Sequence, residues 1–547
     1  MRSADVDPQT RAAAPKPWRR RLEACAISLV GGVLWYLSAR WTAAGPLLAL
    51  AMVLLVTPAA VERWRAPLWG YLPGQLLYAV VGHLPAYRYG LVGLIVFPLA
   101  ITWSYATQAV ATGILRRTTR LPAWVTVPLG LGAGEWLRPW LNPGNFNMYQ
   151  IGSFLFDWPI WIQSAELIGA PALSVLAALP FAVGVEAVRA ATGTSTWRSV
   201  RRGAGLALTI LVLLGCYGAV RIGQVSGEPG PRLAVIQPSL DHGRDLTAGV
   251  VIAQQQLTAQ WVEPGEVDMV VWPENAILSA YDVQAEYHGA VEWTAASRQA
   301  PLLFGAQGMD PVEHRRPTNT AYLVAPDGAL LGRYDKVVLF PFTERRVFPA
   351  LERVWPWMSK QIIRLTLATW RDAPNGWAAP APIPMSAEVG GRTWTFWTPI
   401  CYETCYTDPA RAARRRGARF FVNLTSEGWL GWGPTHNMLA VSVLRAVENR
   451  VGVVRGANAG ISAFILPSGR IDTYLRGHKT GRLLLEPGVA IRRVTAGPPE
   501  PTVYARIGFW IDQLWMILAV VAVALSLWRR RRERRRKRPM RLDPEGM

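Results

Sequence analysis

Three polar side chains stand where apolar, strand-forming runs of this 547-residue sequence end. Glu274 closes the run VVWPE, Lys336 follows a hairpin-like pair in RYDK, and Cys401 comes directly after the run WTFWTPI. Folds built from strands and helices commonly expose their chemistry at strand ends. A thiol needs a base before it attacks a carbonyl carbon, and the oxyanion that forms needs a cation or hydrogen-bond donors. Glutamate, lysine and cysteine supply these parts, so the pattern indicates acyl chemistry on a cysteine.

Each of these residues alone has a more ordinary interpretation. A glutamate at a strand end is usually solvated, a lysine after a hairpin is usually exposed, and a cysteine beside a strand is more often a small buried apolar residue. Cys405 follows Cys401 closely, which also permits a disulfide or part of a metal site. A zinc site needs further cysteines or nearby histidines, and the six histidines are scattered without an HExxH arrangement. We therefore expect no metal and no cofactor.

The elements that must position these residues begin near Arg232, where short β-rich runs alternate with helical ones. Pro326-Asp327-Gly328 predicts a tight turn between two strands. The predicted strands are LAVIQ, DMVVWPE, LLFGA, the pair TAYLVAPDGALLGRY, TWTFWTPI, FFVNLT, GVVRGA and the pair ISAFILPSGRIDTY. Helices are predicted around 250–262, from about Asp408 to Gly417, and from His436 to about Arg450. Apolar strands separated by helices predict a sheet that is covered on both faces by further layers.

The sequence also has the features of a membrane protein. Hydrophobic residues make up 51% of it, and apolar runs of bilayer-crossing length lie near 24–40, 46–60, 67–85, 90–114, 122–138, 166–188, 204–222 and 507–528. No small-x-small cleavage site follows the first run, so we expect an uncleaved helix rather than a signal peptide. Glu135 and Arg138, at helical spacing in the fifth run, predict an ion pair at the outer interface.

The positions of the arginines predict how these runs cross the membrane. With the N-terminus in the cytoplasm and seven spans before residue 225, the arginine-rich loops all face the cytoplasm, and the loop from Pro139 to Glu166, which has no Lys or Arg, faces outward. The net charge of +21 is concentrated in the tails and short loops, which is typical of topology signals rather than of a nucleic-acid surface. The predicted organisation is a basic cytoplasmic N-terminus (1–23), a membrane domain of about seven helices (24–225), an outward-facing domain (226–504), a transmembrane helix (505–528) and a basic cytoplasmic tail (529–547).

The motifs resemble those of the nitrilase, or carbon–nitrogen hydrolase, superfamily. WPE at Trp272–Glu274, YDK at Tyr334–Lys336 and PICYE at Pro399–Glu403 occur in the order and at the separations typical of it. With seven spans before this region and one after it, the whole chain is similar to the apolipoprotein N-acyltransferase family. Further matches are Glu135-Trp136-Leu137-Arg138, Pro341-Phe342-Thr343-Glu344, and Arg445-Ala446-Val447-Glu448 followed by Arg455, Asn458, Gly460 and Ile461.

The resemblance implies a multi-pass helical membrane domain with an αββα sandwich on its outer side, and a Glu–Lys–Cys triad. Carried over to this sequence, Glu274 is the general base, Lys336 stabilises the oxyanion and Cys401 is the nucleophile. The resemblance also implies that Glu344 is an additional essential carboxylate near the triad. Tyr402 and Glu403 are implied to line the site.

The resemblance also implies the reaction and its surroundings. The thiolate takes an acyl chain from a membrane phospholipid as a thioester and passes it to the α-amino group of a diacylglyceryl-cysteine at a lipoprotein's N-terminus. We therefore expect a multi-pass protein of the bacterial inner membrane, with its catalytic domain on the periplasmic or outer side and both termini cytoplasmic. We expect a monomer that binds no nucleic acid.

Two regions bear on how substrates are held. The very apolar stretch from Val347 to Trp370 predicts either an amphipathic helix over the sheet or a lid that dips into the interface, and we favour the lid. The sequence also departs from the family pattern, with Ser426-Glu427-Gly428-Trp429 in place of Asn-Asp-Ala-Trp, PFTE in place of PFGE, and GNFNM in place of Gly-Phe-Pro-Trp. A tryptophan that the family places soon after VIQP is also missing.

Two other functions fit parts of the pattern. A membrane-anchored amidase of the nitrilase type would use the same three residues on a small soluble amide, although seven spans are more than an anchor needs. A transporter or scaffold would use the outward domain only for binding. The spans contain few ionisable residues to mark a transport path, and a binding domain does not need Glu, Lys and Cys together.

Overall fold

The computed structural model describes residues 17–40, 106–141, 150–225, 227–240, 247–309, 317–340, 344, 382–428 and 432–536, together with Met148 and short pieces between 47 and 102. Several sequence predictions lie wholly or largely outside these residues. They are the apolar runs 46–60 and 67–85, the first part of the run 90–114, residues 341–343, the stretch 347–370 and the end of the basic tail.

Two β-sheets form the centre of the described structure. The strands are β1 (Glu228–Gln237), β2 (Met269–Val271), β3 (Ile277–Ala280), β4 (Leu302–Met309), β5 (Pro317–Val324), β6 (Leu330–Asp335), β7 (Met385–Val389), β8 (Arg392–Trp397), β9 (Phe420–Thr425), β10 (Gly452–Ala457), β11 (Ala463–Ile465), β12 (Ile471–Tyr474) and β13 (Gly488–Ala496). One sheet has the order β13-β1-β2-β4-β5-β6, with β3 paired to β4, and the other has the order β12-β11-β10-β9-β8-β7. Parallel pairs β1–β2, β2–β4, β8–β9 and β9–β10 lie in the middle of the sheets.

Helices surround the sheets and extend away from them. They are α1 (Pro17–Arg40), α2 (Ala123–Leu141), α3 (Ala165–Ala191), α4 (Trp197–Gln224), α5 (Thr247–Trp261), α6 (His288–Arg298), α7 (Thr407–Arg415), α8 (Trp432–Asn449) and α9 (Val503–Arg536). Short helical turns cover Ile151–Leu155, Pro159–Ile162, Ala285–Tyr287 and Cys401–Cys405.

The two sheets and the helices on their outer faces form four layers. The alternation of side chains along the strands explains this arrangement. Val235 and Ile236 are adjacent in β1, so they point to opposite faces of the sheet. Val235 packs in the core between the sheets with Phe396 of β8. Ile236 packs on the other side, against Val291 of α6. Leu439 of α8 packs against the second sheet. The domain is therefore an αββα sandwich, as the resemblance implied.

The turn predictions are confirmed by the backbone. Pro326-Asp327-Gly328 joins β5 to β6, and Gly328 donates its N–H to the carbonyl of Ala325 at 3.0 Å. Gly328 has a φ of +84°, which favours glycine. The sequence did not predict β3, β7, β13 or α6. These elements are short, or alternate between buried and exposed residues, and gave no continuous apolar run.

Helices of membrane-crossing character lie outside the sandwich. Within the described residues, α3, α4 and the stretch Val503–Glu533 of α9 are long and apolar enough to cross a bilayer. They coincide with three of the predicted runs, and α1 and α2 coincide with two more. Glu135 and Arg138 of α2 are paired at 3.9 Å. Both side chains are buried among helices, and their position at the outer membrane interface stays a prediction.

Buried ion pairs join the helices to the sandwich. Glu166, at the start of α3, accepts hydrogen bonds from Arg450 at 2.6 Å and from Tyr217 of α4 at 2.5 Å. Gly169 interrupts α3 with a φ of +74°, and a Cβ there would come within 2.2 Å of the Tyr504 ring. This break leaves an N–H group of α3 to donate to Glu448 of α8. These contacts fix the sandwich relative to α3 and α4.

Candidate active site

The three predicted residues lie just past the ends of strands from both sheets. Glu274 follows β2, Lys336 directly follows β6, and Cys401 begins the helical turn after β8. Parallel pairing continues past β8 as a bridge between Ile400 and Leu424 of β9, which fixes the backbone just before Cys401. The two sheets face each other, so residues from both reach one site.

Lys336 is held between two carboxylates. Its Nζ lies 3.2 Å from Oε1 of Glu274 and 2.8 Å from Oε1 of Glu344. Lys336 and Glu274 are buried, whereas the Glu344 side chain is 21% exposed. Charged groups that are buried need such partners, because each one loses its hydration. The structure therefore brings Glu344 to the site and orients the ammonium group.

Asn319 of β5 is a site residue that the sequence did not predict. Its Nδ2 donates to Glu274 at 2.8 Å and to Glu344 at 2.7 Å. Its backbone carbonyl accepts the N–H of Lys336 at 2.9 Å. One amide thus sets the separation of both carboxylates and the position of the lysine. Its signal in the sequence is a lone amide within the strand PTNTAYLV, which is too common a pattern to identify a site.

The other oxygen of Glu274 is held from the second sheet. The backbone N–H of Ser426 donates to Glu274 Oε2 at 2.9 Å. Ser426 follows β9 directly, in the segment where the sequence departs from the family pattern. Because the contact uses the backbone, it does not depend on the side chain present at this position.

Cys401 has an unusual backbone conformation. Its φ is +50°, a region that non-glycine residues enter at a cost of the order of 1 kcal/mol. The surrounding contacts hold it there, since Asn423 donates to the carbonyl of Pro399 at 2.9 Å and Glu403 accepts the N–H of Ile400 at 2.8 Å. These contacts fix the position of Cys401, the first residue of the helical turn, just after the end of β8.

The charges at the site favour a resting thiol. Burial raises the pKa of Cys401 well above its usual value, the charge of Glu274 raises it further, and Lys336 lowers it. Burial by itself would lower the pKa of Lys336, but Glu274 and Glu344 overcome this effect and raise it, so the lysine is an ammonium ion. The sulfur therefore needs to lose its proton to a base as it attacks.

Glu403 accepts backbone hydrogen bonds from the two chain segments that carry Lys336 and Cys401. Its carboxylate is fully buried and accepts N–H groups from Val337 at 2.6 Å, Val338 at 2.9 Å and Ile400 at 2.8 Å. Burial raises the pKa of Glu403 to about 7 despite these hydrogen bonds. The residue was predicted to line the site. Its contacts tie the segment after Lys336 to the segment before Cys401, and its role as a lining residue stays a prediction.

Tyr402, which was also predicted to line the site, is buried. Its ring packs edge-on against Phe340, with centroids 5.0 Å apart, and its hydroxyl accepts a hydrogen bond from Tyr406 at 3.2 Å. The side chain packs in the same apolar cluster as Phe340 and Met438. Its contacts support the helical turn that carries Cys401.

A buried network of hydrogen bonds and an ion pair supports the backbone just before the helical turn of Cys401. Sequence reasoning did not predict this network. Arg455 of β10 pairs with Glu427 and donates to Asn423 at 3.0 Å. Asn423 in turn holds the carbonyl of Pro399. Glu427 is fully buried in this network, so this changed position in the family pattern belongs to the support of the site.

Cys405 occupies a different environment from Cys401. Neither residue forms a disulfide in the described part of the chain. Cys405 is buried, its sulfur lies 3.4 Å from the sulfur of Met438, and burial raises its pKa to about 12. Glu274 and Lys336 are among the charges that act on Cys401 but not among those that act on Cys405. The charges that act on Cys405 are instead those of Arg445, Glu427 and Arg455.

The chain is similar to several known proteins. A family described as carbon–nitrogen hydrolase matches residues 232–475. The chain is 32% identical over 442 residues to an apolipoprotein N-acyltransferase of Agrobacterium fabrum, covering 77% of each protein. It is 26% identical over 465 residues to that of Geobacter metallireducens, covering 81% of this chain and 85% of the relative. A nitrilase-superfamily amidase from Nesterenkonia AN1, 20% identical, aligns with 52% of this chain and 95% of its own with a TM-score of 0.33.

The Agrobacterium relative is similar over most of both proteins, including sequence outside the hydrolase-like sandwich. The chain therefore belongs to the apolipoprotein N-acyltransferase family and is an acyltransferase.

Proposed function

We propose that this acyltransferase moves an acyl chain from a membrane glycerophospholipid, through a thioester on Cys401, to the α-amino group of a diacylglyceryl-cysteine. In the first half-reaction, Glu274 takes the thiol proton as the sulfur attacks an ester carbonyl carbon. The Lys336 ammonium stabilises the oxyanion. When the intermediate collapses, the ester C–O bond breaks, Glu274 returns the proton to the departing alkoxide, and lysophospholipid leaves.

The second half-reaction uses the same groups. The acceptor amine attacks the thioester carbonyl carbon, and Glu274 takes a proton from the nitrogen. The C–S bond then breaks, an amide forms, and the sulfur recovers the proton. Glu344 acts through Lys336, because its carboxylate holds the ammonium group at 2.8 Å.

The placement of Lys336 is the observation that carries this proposal. The buried ammonium contacts Glu274 at 3.2 Å, and the charges of both residues act on the Cys401 thiol. A base, a cation and a nucleophile thus occupy one site. The neutral resting thiol fits a mechanism in which the base acts during the attack.

The proposal includes a position in the membrane. We place both termini in the cytoplasm, the sandwich on the outer side of the bacterial inner membrane, and the protein as a monomer. Exposed apolar side chains along two of the membrane-crossing helices support lipid contact there, including Leu208, Leu213, Val520 and Leu525. Both proposed substrates are membrane lipids, which accounts for the helices around the catalytic domain.

Intact-protein mass spectrometry tests the thioester. Phospholipid alone is expected to add one acyl mass to the protein, and hydroxylamine is expected to remove it. A diacylated lipopeptide with a free amine should also discharge the acyl group, whereas the N-acetylated lipopeptide should not. An adduct that resists hydroxylamine, or no adduct, would contradict the proposal.

A further inference from the structure

Thr425 is the last residue of β9, and it lies beside the predicted nucleophile. The bridge between Ile400 and Leu424 continues the parallel pairing of β8 and β9 without a change of register. The next residues along the two chains are Cys401 and Thr425. Because neighbouring strands lie only about 5 Å apart, this register brings the two residues together.

The side chain of Thr425 is held in one direction. Its backbone pairs with Ala457 of β10. Side chains two residues apart on a strand project from the same face, so Thr425 points to the same side as Asn423. Asn423 reaches the turn of Cys401 from that side, since its Nδ2 donates to the carbonyl of Pro399 at 2.9 Å. Thr425 is fully buried and β-branched, which leaves its hydroxyl few alternative positions.

The hydroxyl of Thr425 has two hydrogen-bond partners. Its Oγ1 donates to Oε2 of Glu427 at 3.2 Å, and it also hydrogen-bonds the thiol of Cys401. A hydroxyl has a single proton, so it can donate fully to only one of these groups at a time. Glu427 also accepts hydrogen bonds from Arg455 and from the backbone N–H of Ile461. That carboxylate therefore keeps donors when the hydroxyl proton turns towards the sulfur.

The charges around the sulfur make a donor valuable there. Burial raises the pKa of the Cys401 thiol most strongly, and the charges of Glu274 and Glu427 raise it further. Lys336 and the hydrogen bond with Thr425 lower the pKa, because a cation and a donor both favour the thiolate. A neutral thiol is a weak acceptor, whereas a charged group forms the stronger hydrogen bonds. The hydroxyl therefore has a reason to turn to the sulfur only when that atom is charged.

We propose that Thr425 is a fourth catalytic residue, whose hydroxyl donates a hydrogen bond to the sulfur of Cys401 while that atom carries negative charge. This happens twice in the proposed function: when the thiol loses its proton to Glu274 during attack on the ester, and when the C–S bond of the thioester breaks. Thr425 keeps its own proton in both steps and forms no covalent bond. In the resting thiol and in the thioester, the hydroxyl donates to Glu427. The two steps rest on the proposed function, whereas the contact with the sulfur does not.

Alkylation of Cys401 by iodoacetamide in the full-length protein tests the contact without any lipid. Cys401 is partly exposed, so the reagent can reach it, and peptide fragment masses distinguish it from Cys405. Thr425→Val removes the hydroxyl and keeps the branched shape, and it should shift the pH profile of alkylation to higher pH. We expect the rate below the thiol pKa to fall by about threefold to tenfold, because a rise of one pKa unit lowers the thiolate fraction tenfold and the more basic thiolate recovers part of the loss as a better nucleophile. Thr425→Ser keeps the donor and should restore the parental profile.

Matched variants separate hydrogen bonding from packing. Thr404→Val removes another buried threonine hydroxyl in the turn of Cys401, one that contacts Ser442 at 3.4 Å, and it should leave alkylation unchanged. Thr425→Ala carries the test if Thr425→Val fails to fold. A parental profile without the hydroxyl, the same shift in Thr425→Ser, or an equal shift in Thr404→Val would overturn the role of Thr425.

Single-turnover rates extend the test to the lipid reaction. Loss of the Thr425 hydroxyl should slow both formation of the thioester and its discharge by a diacylated lipopeptide, because the sulfur becomes charged in each step. If neither rate changes, Thr425 is not catalytic. If the parent forms no adduct with phospholipid, the thioester proposal fails, while the iodoacetamide result still decides whether Thr425 acts on the sulfur.

Discussion

Glu403 accepts the backbone N–H of Val337, the residue after Lys336, at 2.6 Å. The same carboxylate accepts the N–H of Ile400, the residue before Cys401, at 2.8 Å. A single buried group therefore joins the segment that carries the cation to the segment that carries the nucleophile. Such a link holds the two reacting parts at a fixed separation, which is a condition for efficient attack.

The stability of the protein should report on this carboxylate. Glutamate has a pKa of about 4.3 in unfolded chains, and burial raises the pKa of Glu403 in the folded protein to about 7. The folded chain therefore keeps a proton that the unfolded chain loses. Its contribution to the free energy of unfolding is fully present below about pH 4 and is lost as the pH rises through about 7.

Thermal unfolding in detergent, followed across this pH range, measures the effect. We expect the melting temperature of the parent to fall more steeply towards pH 7 than that of Glu403→Gln, which cannot titrate. Curves that run parallel for the two proteins would contradict the assignment of the titration to Glu403.

Cys401→Ala should abolish acyl transfer, because Cys401 is the thiol on which both Glu274 and Lys336 act. Cys405→Ala is the matched control, since it removes a buried thiol of the same helical turn. We expect the control to keep its rate within about twofold and to lose only packing energy. The measurement is the rate of acyl-enzyme formation. Equal loss of activity in both variants would point to a shared role for the two cysteines.

Lys336→Ala should slow acylation by about 10²–10³-fold, the usual effect of removing one oxyanion-stabilising group. The change also leaves Glu274 and Glu344 facing each other without a cation, which threatens folding. The double variant Lys336→Met with Glu344→Gln removes one charge of each sign and is the folding control. If the double variant is stable and acylates at the parental rate, Lys336 has no catalytic role.

Asn319→Ala should slow acylation by about tenfold or more, because it removes hydrogen bonds to two carboxylates at once. Thr320→Val is the matched control on the same strand. It removes a buried hydroxyl that bonds Asp335 and leaves the Glu274 and Glu344 contacts in place. Both variants are expected to be less stable, whereas only Asn319→Ala should lose activity. If both variants lost acylation rate to a similar extent, Asn319 would contribute only to the stability of the protein.

The local features of the fold were predictable from the sequence where a short-range rule governs them. The turn at Gly328 follows from a residue that tolerates positive φ, and the strands β1, β4 and β9 follow from runs of buried apolar residues. In contrast, β13 was not predicted, because it alternates buried and exposed residues and finds its place only by pairing with β1 across most of the domain.

Sequence by itself determined the chemical parts of this enzyme: a thiol, a carboxylate and an amine at strand ends, with apolar runs on either side. Burial and partner choice were decided by the tertiary structure alone. Asn319 became a shared donor, Glu403 became a buried link, and Glu135 became a buried acceptor for the backbone N–H of Ile151. The reason is physical: a polar side chain acquires its role from the groups that replace its water, and those groups come from distant parts of the chain.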